Sequence, residues 1–158
     1  MRNSKRKAKK TYLKEVEKRR LLDSDIYLSY LKGDDLSQHA ENVVAAIQKD
    51  EIEAYVSSIL FDDIVTALRS KQVEYEEIKK VIIAIASIGG TPLTITPTIA
   101  LTAVSMYEQH GGSRKLHYFD AYHAATAHHS ELPLVTSDKY LIEHQKELGI
   151  QTLDLRKL

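Results

Sequence analysis

Short apolar runs alternate with longer segments of helical periodicity from about residue 19 to the end of the chain. The apolar runs predict five strands, at 20–23, 52–57, 93–96, 132–136 and 150–153. Apolar residues three and four positions apart predict seven helices, at 26–31, 36–48, 59–70, 73–88, 99–110, 120–129 and 139–148. Regular alternation of strand and helix is typical of a parallel sheet covered by helices on both faces. The pattern therefore predicts one α/β domain.

Charge divides the chain into two parts, although the formal net charge of its 158 residues is zero. Residues 1–20 carry a balance of +8, and residues 21–158 carry a balance of −8. We expect 1–17 to form a flexible basic extension and 18–158 to form the folded domain. Candidate RNA-phosphate contacts in the extension are Lys5, Arg6, Lys9 and Lys10, in a run interrupted by Ala8. A solvated tail is an equally good interpretation of this run.

The composition excludes sites that depend on cysteine, and it argues against a membrane-spanning or secreted protein. The chain has no cysteine, which rules out disulfide scaffolds, thiolate zinc sites and cysteine nucleophiles. Its apolar stretches, such as 81–86, are too short to cross a bilayer, and the N-terminus lacks the apolar core of a secretory signal. We therefore expect a cytoplasmic protein.

Acidic residues follow strands or begin helices at several points of the predicted sheet. Asp23 ends the first predicted strand, Asp138 follows the fourth, and Asp120 begins the sixth helix. In open parallel sheets, ligands bind beyond the carboxyl ends of the strands, where such residues converge. Each acid taken alone is explained as well by helix capping or by the helix dipole. The functional interpretation depends on their coming together.

Helical periodicity separates the adjacent acids of the third helix. Asp62 lies on a polar face, whereas Asp63 lies at the border of the apolar stripe and faces partly inward. A buried ionised carboxylate is costly unless it is paired or bound to metal, so Asp63 is the candidate. In the sixth helix, Asp120 shares a face with His123 and with small residues. We interpret His123 first as a structural hydrogen-bonding residue and leave a direct role open.

A meeting of Asp23, Asp63, Asp120 and Asp138 at one rim would require a compensating charge. Two carboxylates about 5 Å apart repel by roughly 3 kcal/mol at an effective dielectric constant near 20. Four together need protonation or a cation, and an all-oxygen ligand set favours Mg²⁺ or Mn²⁺ over zinc. Such ions activate water and stabilise phosphoryl transition states. The residues therefore predict a nuclease.

Four segments resemble the PIN-domain family, which includes the ribonuclease toxins of the VapC type, in their order and spacing. They are Leu-Leu-Asp-Ser at 21–24, Val-Ser-Ser-Ile-Leu-Phe-Asp-Asp-Ile at 56–64, Phe-Asp-Ala-Tyr-His-Ala-Ala-Thr-Ala at 119–127 and Val-Thr-Ser-Asp-Lys at 135–139. The resemblance covers about 19–153. It implies a three-layer α/β/α sandwich with a mainly parallel sheet and a Mg²⁺- or Mn²⁺-dependent endoribonuclease.

The resemblance also implies site residues and partners. Asp23, Asp63, Asp120 and Asp138 would be the catalytic metal ligands, with Ser24 and Thr136 as supporting hydroxyl residues. The implied partners are RNA, a separate antitoxin and a second copy of the chain. The family usually has Glu at the second acidic position, so Asp63 would reach the ion directly or through water.

Three alternatives stay open at this point. A catalytically weak PIN scaffold would bind RNA or a protein partner, and the basic extension favours an RNA-processing protein over a minimal toxin. Asp23-Ser24-Asp25 could instead supply the nucleophile and acid of a haloacid-dehalogenase-type phosphatase, although Ile26 and Tyr27 do not fit that motif. The apolar segment 73–88 could form a dimer interface or simply core.

Overall fold

Five parallel strands form one sheet in the computed structural model, which describes residues 18–112 and 115–158. Along the sheet the order is β3-β2-β1-β4-β5. The strands are β1 (Arg19–Leu22), β2 (Glu53–Ser57), β3 (Thr91–Leu93), β4 (Leu134–Thr136) and β5 (Thr152–Asp154). The candidate contacts Lys5, Arg6, Lys9 and Lys10 lie outside the described residues, as does the rest of the basic extension.

Seven α-helices connect these strands within the described part of the chain. They are α1 (Ser24–Lys32), α2 (Ser37–Gln48), α3 (Leu60–Ser70), α4 (Tyr75–Ile88), α5 (Pro97–His110), α6 (Tyr118–Ser130) and α7 (Lys139–Glu143). A short 3₁₀ turn follows at Leu155–Lys157. The parallel sheet and its helices form the three-layer α/β/α sandwich, which confirms the predicted fold class. None of the described helices combines the length and apolarity needed to cross a membrane.

The sheet separates two hydrophobic clusters because successive strand residues point to opposite faces. Leu22 packs in one cluster with residues such as Ile26 and Ile64, from α1 and α3. Leu21 packs in the other with Leu134 and with the alanines of α6. The buried face of α6 is largely alanine (Ala121, Ala124, Ala125 and Ala127), so the helix packs closely on its neighbours. Close packing brings the polar residues of the same helix into the protein interior.

Most elements differ from the sequence prediction in their bounds, and β3 and α7 show the physical reason. β3 covers 91–93 rather than 93–96, because Thr96 already caps α5 by accepting a hydrogen bond from the Ile99 amide. α7 ends at Glu143 rather than at 148, and the chain then continues as turns to Gly149, which adopts a left-handed φ of 64°. Capping interactions and turns at the ends of elements therefore override the apolar pattern.

The apolar segment 73–88 becomes a helix with one packed face. Ile78 and Ile85 of α4 are buried in the first cluster, whereas Ile83 is 69% exposed. Part of this segment is therefore core, and its use as a dimer interface stays a prediction.

Candidate active site

A cavity opens where the strand order reverses. The chain runs outward from β1 through β2 to β3 and then returns to place β4 on the other side of β1. The carboxyl ends of β1 and β4 therefore border a crevice of the kind that binds ligands in open parallel sheets. The cavity there has a volume of about 490 Å³. Its lining residues are Asp23, Ser24, Asp25, Lys115, His117, Asp120, Ser137, Asp138, Lys139 and Tyr140.

Asp23 is held at the base of this cavity by both neighbouring loops. It is the N-cap of α1, where its Oδ1 accepts a hydrogen bond of 2.7 Å from the Ser24 amide. The Thr136 hydroxyl donates to Asp23 Oδ2 at 2.7 Å and accepts from the Asp138 amide at 3.0 Å. Asp23 is only 2% exposed. Its burial raises the pKa of its carboxyl, against the lowering effects of the His123 charge and the hydrogen bonds from Thr136 and Ser24.

Asp138 caps a helix and also faces the cavity. Its Oδ1 accepts from the Leu141 amide at 2.9 Å at the start of α7. The capping interpretation of Asp138 is therefore correct. A capping bond to one oxygen leaves the carboxylate with further acceptor capacity, so the two roles are compatible.

Asp120 enters the cavity from the first turn of α6. Its side chain is 16% exposed, and its Oδ2 lies 3.4 Å from Nδ1 of His117. Burial raises the pKa of Asp120 to about 8, and the nearby charges of Asp23, Asp138 and Asp63 add to this effect, while His123 opposes it. At neutral pH and without a cation, the carboxyl of Asp120 is therefore mostly protonated.

Asp63 joins this group through His123 rather than from the cavity wall. His123 is fully buried, and its Nε2 lies 3.1 Å from Asp63 Oδ2 and 3.8 Å from Asp23 Oδ1. His123 Nδ1 is buried and has no partner among the described residues, so we assign the proton to Nε2, which donates to Asp63. Asp63 is 14% exposed while Asp62 is exposed, as the helical periodicity predicts.

The neighbouring acids change the pKa of His123. Burial lowers its pKa, but the hydrogen bond with Asp63 and the charges of Asp23, Asp63 and Asp120 outweigh burial and raise the pKa above its ordinary value. The surrounding acids therefore favour the protonated form of His123 more than water would. The sequence placed His123 beside Asp120 but did not identify its contact with Asp63, which comes from a different helix.

The comparison with protein families agrees with this geometry. The PIN domain model matches residues 20–147, most of the chain. The chain belongs to the PIN-domain family. PIN domains are generally nucleases, and membership replaces the phosphatase interpretation of Asp23-Ser24-Asp25. No functionally curated protein sequence matches this PIN domain.

Solved structures with the same fold include toxin–antitoxin proteins. The structure of VapBC2 from Rickettsia felis bound to a promoter DNA fragment aligns with a TM-score of 0.62 at 16% identity, over 86% of this chain and 98% of that chain. FitAcB from Neisseria gonorrhoeae aligns with a TM-score of 0.62 at 17% identity, over 87% and 99%. A toxin–antitoxin complex from Klebsiella pneumoniae aligns with a TM-score of 0.54 at 18% identity, over 77% and 89%. At these identities the likeness shows the fold.

Asp25 is a further acid of the PIN-domain cavity, which the sequence named only in the phosphatase alternative. Asp25 does not cap the first helix, because Asp23 occupies the N-cap position. Asp25 Oδ2 instead accepts hydrogen bonds from the amide and hydroxyl of Ser137, across the crevice. Burial, followed by the charge of Asp23, raises the pKa of Asp25 to about 7. The hydrogen bonds from Ser137 are what distinguish Asp25 from an ordinary acid in the first turn of a helix, and only the three-dimensional structure reveals them.

The residues at this edge fit a divalent cation. Asp23, Asp25, Asp120 and Asp138 provide several carboxylate oxygens on one cavity, and Asp25 Oδ1 is buried without a hydrogen-bond partner among the described residues. Ligand atoms of Asp23, Asp63 and His123 also lie within 4.8 Å of one another, but Nε2 of His123 would bind an ion only after losing the proton that it donates to Asp63. The carboxylate oxygens of the four cavity aspartates are hard ligands of the kind that suits Mg²⁺ or Mn²⁺.

Proposed function

We propose that this PIN domain is an endoribonuclease that requires Mg²⁺ or Mn²⁺. The observation that carries the proposal is the convergence of Asp23, Asp120 and Asp138 on one cavity, with the pKa values of Asp23 and Asp120 raised. Carboxyl groups whose pKa values are raised by burial and by one another's charges, and which lie on an open cavity, are suited to bind a cation that compensates those charges. Asp23, Asp120 and Asp138 would hold the ion, and Asp63 would support them through His123.

The protein residues prepare the cavity for a phosphodiester. Thr136 and the Ser24 amide fix both oxygens of Asp23, so the carboxylate does not need to be ordered when substrate binds. The N-termini of α1 and α6 border the cavity, and their amide dipoles favour anions there. A bound divalent ion would lower the pKa of a coordinated water and offset the charge that develops on the phosphate. The arrangement therefore combines charge compensation with positioning.

The similar structures bear on the biological setting. Because they include toxin–antitoxin proteins, we propose that this chain is a toxin of the VapC type that a separate antitoxin inhibits. Antitoxin binding would then cover or distort the carboxylate cavity. A purified antitoxin candidate should reduce RNA cleavage in a dose-dependent manner.

The direct test compares RNA cleavage by the full chain with Mn²⁺, with Mg²⁺ and after chelation. Asp120→Asn should reduce cleavage at least 100-fold while its circular dichroism spectrum stays unchanged. Asp62→Asn is the matched control, because Asp62 is an exposed acid of α3 outside the cavity, and it should cleave normally.

Full cleavage by pure Asp120→Asn, or cleavage that chelation does not affect, would overturn the proposal. Absence of cleavage by the unaltered chain, together with salt-sensitive RNA retention, would support the weak scaffold that binds RNA.

A further inference from the structure

The loop between β4 and α7, at residues 136–138, connects several acids of the cavity. Thr136, at the end of β4, donates its hydroxyl to Asp23. Ser137 donates its amide to Asp25 Oδ2 at 2.6 Å, and Asp138 itself lines the cavity. A shift of the 136–138 loop would therefore disturb three of the cavity acids together.

Repulsion between carboxylates acts against this arrangement when no cation is bound. Besides burial, the charges of Asp23 and Asp138 raise the pKa of Asp120, which shows that these groups lie close enough to interact. Ionised carboxylates at such distances repel one another. The loop that carries Asp138 is therefore stabilised by any contact that holds it from outside the cavity.

Arg156 supplies such a contact from the C-terminal 3₁₀ turn. Its Nη2 donates to the carbonyl of Ser137 at 2.6 Å, and its Nη1 pairs with Asp154 Oδ1 at 2.9 Å. A guanidinium group presents its donors in a rigid fork, so the bond to Asp154 fixes the direction of the bond to Ser137. Arg156 is not among the residues that line the cavity.

The turn that carries Arg156 is itself anchored to the domain. Leu155 is fully buried in the first hydrophobic cluster. Asp154 is the last residue of β5 and caps the turn by accepting a hydrogen bond from the Arg156 amide at 3.0 Å. Asn42 of α2 donates to the carbonyl of Leu158 at 3.2 Å. Arg156 therefore contacts the 136–138 loop from a fixed base.

We propose that Arg156 is a positioning residue of the metal site, which holds the carbonyl of Ser137 and thereby fixes both Asp25 and Asp138. Arg156 lies beyond residues 20–147, which the PIN domain model matches, so membership of the family assigns it no role. The inference rests on the proposed function, because Asp138 is one of the proposed metal ligands.

The first experiment measures whether Arg156 holds the loop, and it needs no metal. Amide hydrogen exchange of the metal-free full chain is followed by NMR. In Arg156→Ala, the amides of Ser137 and Asp138 should exchange at least 10-fold faster, because both form hydrogen bonds that depend on the place of the loop. The amide of the buried Leu22 should keep its protection. Lys157→Ala is the matched control, because Lys157 is the neighbouring exposed base of the same turn.

The second experiment measures Mn²⁺ affinity by isothermal titration calorimetry. Arg156→Ala should weaken Mn²⁺ binding about 10-fold, at the lower end of the range for residues that orient metal ligands. Arg156→Lys should recover only part of this loss, because an ammonium group lacks the rigid fork that bonds Asp154 and Ser137 together. In RNA cleavage, Arg156→Ala should lower kcat and leave KM nearly unchanged, since Arg156 does not line the cavity.

Unchanged exchange of Ser137 and Asp138 in Arg156→Ala would overturn the proposal. Faster exchange, or a lower melting temperature, without any loss of Mn²⁺ affinity would also overturn it, because Arg156 would then only stabilise the turn. Full recovery of Mn²⁺ affinity in Arg156→Lys would contradict the role of the fork.

The outcome for the proposed function is separate. If Arg156→Ala weakens Mn²⁺ binding but the unaltered chain cleaves no RNA, the positioning role is supported and the nuclease proposal is contradicted. An unaltered chain that binds no Mn²⁺ would overturn the metal site and this positioning role together.

Discussion

Replacement of His123 tests whether a buried imidazole positions the second acid of the site. In the structure, Nε2 of His123 donates to Asp63 Oδ2 at 3.1 Å, and no other hydrogen-bond donor to Asp63 is seen among the described side chains. His123→Leu introduces an apolar side chain of comparable size and removes this donor. Asp63 would then lose its defined orientation toward Asp23.

The size of the effect follows from the type of bond. A hydrogen bond to a charged group contributes about 1.5–3 kcal/mol, and each 1.4 kcal/mol corresponds to a factor of ten. We therefore expect His123→Leu to weaken Mn²⁺ binding about 10- to 100-fold, the range typical for residues that orient metal ligands.

Isothermal titration calorimetry of Mn²⁺ on the full chain would measure this change without relying on activity. His123→Gln is the matched variant, because its amide NH₂ can take the place of Nε2, and it should retain most of the affinity. His123→Asn is one atom shorter and should resemble His123→Leu. Equal Mn²⁺ affinity in His123→Leu and the unaltered protein, with both folded, would refute the reasoning. So would a loss in His123→Gln as large as that in His123→Leu, since His123 would then act only through its shape.

Three further predictions concern pH, a hydroxyl group and the basic extension. The pKa of Asp120 is about 8 in the fold against an ordinary value of 3.8, so the metal-free fold binds more protons than the unfolded chain. The contribution of Asp120 to stability is therefore present at low pH and is lost as the pH rises toward 8. Thermal melting in the presence of a chelator should show a melting temperature that falls from pH 5 to pH 8.5. Asp120→Asn should reduce this dependence of the melting temperature on pH. Thr136→Val should cost about 1–3 kcal/mol in urea unfolding, because it removes a buried donor to Asp23, whereas Thr66→Val on the exposed face of α3 should change little. Deleting residues 2–14 should weaken RNA binding and reduce its salt dependence, and unchanged filter-binding curves would contradict a role for the extension.

Local pattern alone identified most of the elements and the acids at their ends. The helical period distinguished the partly buried Asp63 from the exposed Asp62, and the structure agrees. The sequence also predicted that acids follow strands or begin helices, at Asp23, Asp120 and Asp138. These features depend on neighbours within a few residues, which is why periodicity and capping rules detect them.

Tertiary structure alone decided which of these residues meet. The order β3-β2-β1-β4-β5 makes β1 and β4 neighbours, so residues 23 and 138 share a cavity although more than a hundred positions separate them. Asp25 on Ser137, and Asp63 on His123, are likewise contacts between distant segments. A sequence pattern reports which face of an element is buried, whereas the partner across that face depends on how all the strands and helices pack together. The residue types in the sequence therefore determined the chemistry that the candidate site can perform. The contacts between these residues were determined only by the packing of the whole domain.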